Sequence, residues 1–202
     1  MSTPPTISVL MPAYNVERYI EEAVRSILDQ TFADFEFLII DDGSTDQTGV
    51  ILDRLAAADS RIRLTHRANG GYVSALNLML KQSRGEFIAR MDADDIALPD
   101  RFERQIEYLR SHPECVVVGG SALVIDPDGD LLDEWFPSRT HEEIDEAHLE
   151  GSQGSVLCHP SVMMRREAVL SAGGYREAFY SAEDLDLWLR LAERGRLANL
   201  AG

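Results

Sequence analysis

The sequence predicts an α/β fold: a mostly parallel sheet flanked by helices, with a mixed second half. Three observations predict it. Across the first 120 of 202 residues, short apolar runs alternate with stretches whose apolar residues recur at helical spacing. After residue 119 that alternation gives way to a hairpin-like pattern and separated helices. The composition, 45% apolar and 27% charged, suits a packed core and not a disordered chain.

Residues 7–11 read as a buried strand, followed by Pro12 and a polar break. Ile20, Ala23, Val24, Ile27 and Leu28 lie at i, i+3, i+4, i+7 and i+8, the stripe of an amphipathic helix. Residues 35–40 form a second strand, rich in aromatic and β-branched side chains, ending in Asp41-Asp42-Gly43. A helix follows over 46–58, then a third strand over 62–65. Val73, Leu76 and Leu80 mark a third helix, and residues 86–91 a fourth strand that ends in Asp92-Ala93-Asp94-Asp95. Pro99 suits the first turn of a helix running to Ser111, and residues 116–118 make a fifth strand. Beyond Gly119, residues 122–125 and 131–136 flank a turn, and a polar helix spans 141–150. A strand-like stretch follows over 156–164. Gly173-Gly174 separates it from a last helix carrying Leu187, Trp188 and Leu191. No repeat or linker divides the chain, so residues 1–202 are expected to form one domain.

Charge narrows the possible partners. Nineteen basic residues against 35 acidic ones give a net charge of −16, which argues against nucleic acid and against broad attraction to anionic membranes. No apolar run is long enough to span a bilayer, and the N-terminus lacks the pattern of a signal peptide. Cys115 and Cys158 have no metal-binding spacing and read as small buried hydrophobes; a cytoplasmic location is expected. The single lysine, Lys81, lies in no Walker loop.

In a parallel sheet, ligands bind beyond the carboxyl ends of the strands. The unusual residues fall there: Pro12-Ala13-Tyr14-Asn15 after the first strand, 41–46 after the second, 92–95 after the fourth. Each cluster also has a bland reading. Ser44-Thr45-Asp46-Gln47 matches a capping box, which leaves Asp41 and Asp42 unexplained. The carboxylates of Asp92, Asp94 and Asp95 repel one another unless solvent or a cation neutralises them. Hard oxygen donors of this kind suit Mg²⁺ or Mn²⁺. Residues 126–130 resemble the start of a calcium loop, but Leu131 and Pro137 stand where such a loop needs Gly and Glu, so a turn is expected. Asp184 at the start of the last helix reads as a cap that can also face a cleft. His159, before Pro160, reads as a structural or lip residue.

Taken in order, SVLMPAYN (8–15), DDGSTD (41–46), Asn69-Gly70-Gly71 with Asn77, DADD (92–95), Gly173-Gly174-Tyr175 and EDLDLW (183–188) resemble the family 2 inverting glycosyltransferases of the GT-A fold. The resemblance covers nearly the whole chain. It implies a Rossmann-like sheet and a nucleotide-diphosphate sugar donor, UDP-linked in most members, bound by residues 1–120. Residues 121–202 would present base and acceptor. By position, Pro12, Ala13, Tyr14 and Asn15 would lie at the nucleotide, with Tyr14 stacking on the base, Asp42 accepting from it and Asp41 supporting the loop. Asp92 would lie near the ribose or donor sugar, Asp94 with Asp95 would bind the divalent cation, and Asp184 would be the general base. The resemblance further implies a glycan, lipid-linked or other hydroxyl acceptor, cell-surface polysaccharide or glycoconjugate synthesis, and a place in the cytoplasm or at the cytoplasmic face of the membrane. The QxxRW motif of processive members is missing, so one sugar per encounter is expected; family members commonly continue beyond the equivalent of Gly202, so a longer protein is expected. Two rival readings stand beside it: a sugar nucleotidyltransferase, which needs a Gly-rich basic signature where this chain has Pro-Ala-Tyr-Asn, and a non-catalytic nucleotide-sugar or glycan-binding module of the same fold.

Overall fold

Strand and helix alternate through the first 119 residues as the apolar pattern predicts. A computed structural model describes residues 3–150 and 156–201; Met1, Ser2 and Gly202, the ends of the predicted domain, lie outside the described residues. The order is β1 (Ile7–Ala13), α1 (Ile20–Leu28), β2 (Phe35–Asp41), α2 (Thr48–Ala58), β3 (Ile62–His66), α3 (Tyr72–Gln82), β4 (Phe87–Arg90), α4 (Arg101–Ser111) and β5 (Cys115–Gly119). The second half adds a hairpin of β6 (Ala122–Ile125) and β7 (Leu131–Trp135), then α5 (His141–Leu149) and a 3₁₀ turn at His159–Ser161. It closes with β8 (Met163–Arg165), α6 (Arg166–Ser171), a 3₁₀ turn at Glu177–Phe179, α7 (Glu183–Ala192) and β9 (Arg196–Asn199).

One sheet takes strands from both halves, in the order β3-β2-β1-β4-β8-β5-β9. β1 pairs in parallel with β2 and β4, β2 with β3, and β5 with β9. β8 alone runs against its neighbours, between β4 and β5. The sheet is therefore mostly parallel with one reversed strand, and helices cover both faces. Ile7, Val9 and Met11 join a core with Val24 and Ile27 of α1 and Phe102 and Leu109 of α4. Leu10, Leu38 and Ile40 join the opposite core, with Leu76 and Leu80 of α3 and Trp188 and Leu191 of α7. Strands buried on both faces explain why their sequences are continuous apolar runs.

Several elements differ from expectation. The strand-like stretch over 156–164 is mostly a turn, with Pro160 inside the 3₁₀ segment and pairing only from Met163. α2 begins at Thr48 and α4 at Arg101, so Pro99 precedes its helix instead of opening it. α6 and β9 carry too few residues for a period to show. The turn over 126–130 forms as expected: Asp126 Oδ1 accepts from the N–H groups of Asp128 and Asp130, and Gly129 takes φ 91°. Both cysteines are free; Cys115 is buried and Cys158 partly exposed.

Candidate active site

Because β2, β1 and β4 are adjacent and parallel, the loops after Ala13, Asp41 and Arg90 leave the same edge of the sheet. The first two loops are tied together. The Thr45 N–H donates to Asn15 Oδ1 at 2.8 Å, and the Asn15 N–H donates to Ser44 Oγ at 3.0 Å. Asn15 sits at φ 52°, a left-handed conformation that asparagine tolerates.

Pro12 and Ala13 are the buried last residues of β1. The Leu10 carbonyl faces β4, accepting from Met91, and that of Ala13 faces β2, accepting from Asp42. By alternation the Pro12 nitrogen faces the β4 side, past the end of the β1–β4 pairing at Leu10, so its missing N–H costs no ladder bond. Tyr14 then emerges half-exposed, its ring available to a flat partner.

Asp41 and Asp42 are both buried and do different work. Asp41 Oδ1 accepts from the Ser44 N–H at 3.0 Å, and Oδ2 meets His66 Nδ1 at 2.8 Å. His66 Nε2 lies 3.1 Å from Asp53 Oδ1. Burial pushes the Asp41 carboxyl up, but the bonds from Ser44 and His66 outweigh it and hold it below the usual carboxylate range. The two carboxylates push the His66 imidazole up, the bond to Asp41 most. Asp42 Oδ1 accepts from Arg67 Nε at 2.5 Å and the Gly70 N–H at 3.0 Å, and Oδ2 from the Gly71 N–H at 2.8 Å. Asp42 thus fastens the loop over 67–71 to the end of β2. Gly43 between these loops takes φ 82°, and a Cβ there would lie 2.7 Å from the Asn69 nitrogen.

The capping box expected at 44–47 does not form. Ser44 Oγ is engaged by Asn15, and Asp46 accepts from the N–H groups of Thr48 and Glu17, at 2.9 and 3.1 Å. Those side chains stitch the loops together; Gln47, the N-cap residue of α2, makes no capping bond with its own side chain, and the first helical amide goes to Asp46.

In the third loop Asp92 is ion-paired with Arg90, the last residue of β4, which is fully buried. Asp94 is exposed and Asp95 partly buried. Burial, then the charges of Asp92 and Asp94, push the Asp95 carboxyl up to about 6. Among the described residues no group of three or more His, Cys, Asp or Glu side chains is arranged to hold a metal ion. The Asp95 carboxyl, raised by burial and by two neighbouring carboxylates, nonetheless fits a divalent cation that takes one or two carboxylates here and its remaining ligands from water or phosphate.

Asp184 lies in the first turn of α7, but it is not a cap. Its Oδ1 accepts from the adjacent Leu185 N–H at 2.7 Å, and α7 has no side-chain cap. Asp186 is paired with Arg190 and Arg176, at 2.5 and 3.3 Å. α7 reaches the third loop through side chains that sequence reasoning did not assign to the site. Trp188 packs edge-on to His159, whose Nδ1 and Nε2 lie 3.0 and 2.8 Å from the hydroxyls of Tyr72 and Tyr175. Tyr72 in turn hydrogen-bonds Arg90. Arg67 was also missed. The one signal available was Arg90 itself, a charge inside the apolar run before Asp92. A separate groove of about 780 Å³ lies between Phe136–Thr140 and α5; none of the predicted site residues lines it.

The family model described as glycosyl transferase family 2 matches residues 8–171. A putative glycosyltransferase, EpsE, of Bacillus subtilis is 37% identical over 199 residues, covering 96% of this chain and 69% of that protein. A chondroitin synthase of Escherichia coli is 33% identical, covering 95% of this chain and 27% of that protein. Among solved structures, S. aureus TarS 1-349 in complex with UDP superposes with a TM-score of 0.77 at 24% identity, over 96% of this chain and 57% of that one. The mannosyltransferase PcManGT of Pyrobaculum calidifontis, in complex with GDP-Man and Mn²⁺, superposes with a TM-score of 0.71 at 20% identity, over 99% of this chain and 56% of that one. The chain thus spans from about a quarter to about two thirds of the length of these proteins, and shares the GT-A fold of the structures. With the matched region holding every loop of the edge, the chain belongs to glycosyl transferase family 2, a family of glycosyltransferases.

Proposed function

We propose that the chain transfers one sugar from a UDP-linked donor to a hydroxyl of a glycan or lipid-linked acceptor, with inversion, in polysaccharide or glycoconjugate synthesis. The observation that carries this reading is the shared edge, where the loops holding Tyr14, Asp42 and Asp92 to Asp95 leave adjacent parallel strands. UDP is favoured by the TarS complexes, with UDP and with UDP-GlcNAc, and polysaccharide synthesis by relatives named for chondroitin and amylovoran. In this reading residues 1–202 are one unit, with 1–120 holding the nucleotide and 121–202 presenting base and acceptor, in the cytoplasm or at the cytoplasmic face of the membrane.

Each residue then has a task. The floor of Pro12 and Ala13 and the ring of Tyr14 receive the base; Asn15 and Asp41 hold the two loops in register, and Asp42 offers an acceptor beneath them. Asp92, paired with Arg90, faces the ribose or donor sugar. Asp94 and Asp95 would hold Mg²⁺ or Mn²⁺, which when bound neutralises charge developing on the diphosphate. Asp184 takes the proton of the acceptor hydroxyl as it attacks the anomeric carbon from the face opposite the leaving group. A single displacement of this kind turns an α-linked donor into a β-linked product.

The test is UDP release from UDP-sugars with Mn²⁺ and a panel of saccharide acceptors, with the product anomer read by NMR. Asp184→Asn should lower kcat by about 10²–10⁴-fold while UDP affinity stays within about twofold. Full activity in Asp184→Asn, or an α-linked product, would overturn the assignment.

A further inference from the structure

Arg90, Tyr72, His159 and Tyr175 form a continuous polar chain from the third loop to α7, buried except at the partly buried Tyr72. Arg90 and His159 are 1% and 8% exposed, and Tyr175 is 3% exposed. Donor and acceptor counting fixes its direction. A guanidinium only donates, so the Tyr72 oxygen accepts from Arg90. Among the described residues the Tyr72 proton has one acceptor within hydrogen-bond reach, His159 Nδ1 at 3.0 Å. The opposite tautomer, with Nδ1 protonated, would leave the hydroxyl proton of the partly buried Tyr72 between two donors, Arg90 and His159. With Nδ1 accepting, Nε2 carries the proton and donates to the Tyr175 oxygen at 2.8 Å. That frees the Tyr175 proton, and the carboxylates close enough for their charge to act on Tyr175 are Asp184 and Glu183. Glu183 Oε2 is buried, with no hydrogen-bond partner among the described residues. The chain thus starts at a cation and ends beside carboxylates, the electrostatically favourable sense.

Two further contacts hold it in place. Asn77 of α3 donates to the Tyr175 carbonyl at 2.8 Å and accepts from its N–H at 3.0 Å. Burial, then the charge of Arg90, push the His159 imidazole well below its ordinary range, so the ring is neutral and holds a single proton.

We propose that Tyr72, His159 and Tyr175 are positioning residues, a one-way hydrogen-bond relay by which the Arg90–Asp92 pair orients the Tyr175 hydroxyl toward the acidic start of α7 and so holds the base helix against the donor loop. This rests on the reading of Asp184 as base, and the experiment separates the two. In the wild-type protein, nitrogen-15 shifts assigned through bonds should give His159 protonated at Nε2 and bare at Nδ1; a ring protonated at Nδ1 overturns the relay. Tyr72→Phe should convert that single tautomer to a mixture. Tyr72→Phe and Tyr175→Phe should each lower kcat about tenfold with donor KM within about twofold, the loss of one oriented hydrogen bond. The double variant should be no slower than the slower single, because a chain broken once carries nothing further. Multiplying losses, or single variants with wild-type kcat, overturn the relay. If the wild-type protein transfers no sugar, the glycosyl-transfer reading fails, and the tautomer still decides the relay.

Discussion

His66 meets two carboxylates at once while 45% of its side chain stays in solvent, whereas only 7% of the Asp41 side chain is exposed. The folded-state affinity of His66 for its proton is raised above the ordinary 6.5, so its contribution to stability is complete below about 6.5 and is lost as pH rises through the raised value. Asp41 is lowered from 3.8, so its contribution is present above about 3.8 and is lost as pH falls through the lowered value. The clamp between β2 and β3 is therefore fully engaged between those limits and loosens on the alkaline side. His66→Gln should lower the melting temperature by about 1–3 °C near pH 6, as a solvent-screened pair does, and by less above the raised value. An equal deficit at pH 6 and pH 9 would show that the imidazole charge contributes nothing. At this scale the acidic half of the candidate site stands out in the sequence, because Asp41, Asp42 and Asp92 to Asp95 lie at the ends of apolar strands. Arg67 and Arg90 do not. Arg67 has its function through Asp42, 25 residues away, and Arg90 through Tyr72, 18 residues away, pairings set by the fold and invisible to local spacing.

The loop over 42–47 shows how an element can carry a familiar pattern to another use. Ser-Thr-Asp-Gln at 44–47 and Thr140 with Glu143 both fit a capping box, yet only the second forms. Thr140 Oγ1 accepts from the Glu143 N–H at 3.3 Å, and Glu143 accepts in return from the Thr140 N–H at 3.0 Å. Ser44 is diverted because the parallel pairing of β1 and β2 brings Asn15 against it, a contact between residues 29 apart. The reversal of β8 was equally hidden, since an apolar run has no direction until its partners are known. Gly43 makes the dependence testable. Its φ of 82° and the 2.7 Å that a Cβ would leave to the Asn69 nitrogen press the loop over 67–71 out of place. Gly43→Ala should cost about 1–3 kcal/mol of stability and weaken UDP binding together, because both loops meet there. Wild-type affinity in a destabilised Gly43→Ala protein would detach the nucleotide site from this turn.

For the whole molecule, a net charge of −16 poses the question of how an acidic protein would hold the diphosphate of the proposed donor. Around the third loop the problem is sharper, because Asp92, Asp94 and Asp95 share the edge and Asp95 already resists ionisation. Arg90 offsets one of these charges and is itself buried, so a divalent cation is the direct means of making the edge attractive to phosphate. The consequence is a linkage between metal, nucleotide and folding. A ligand that binds only the native state at about 100 times its Kd adds about 2.7 kcal/mol, which for a domain of this size raises the melting temperature by about 5–10 °C. UDP with Mn²⁺ should therefore stabilise the chain by several degrees, and UDP in EDTA by much less. Asp94→Asn should erase that difference while keeping the smaller shift from UDP alone, since Tyr14 and Asp42 stay in place. Equal shifts in EDTA and in Mn²⁺ would mean that the base pocket carries the affinity without a cation, and that the three carboxylates face the acceptor instead of the phosphates.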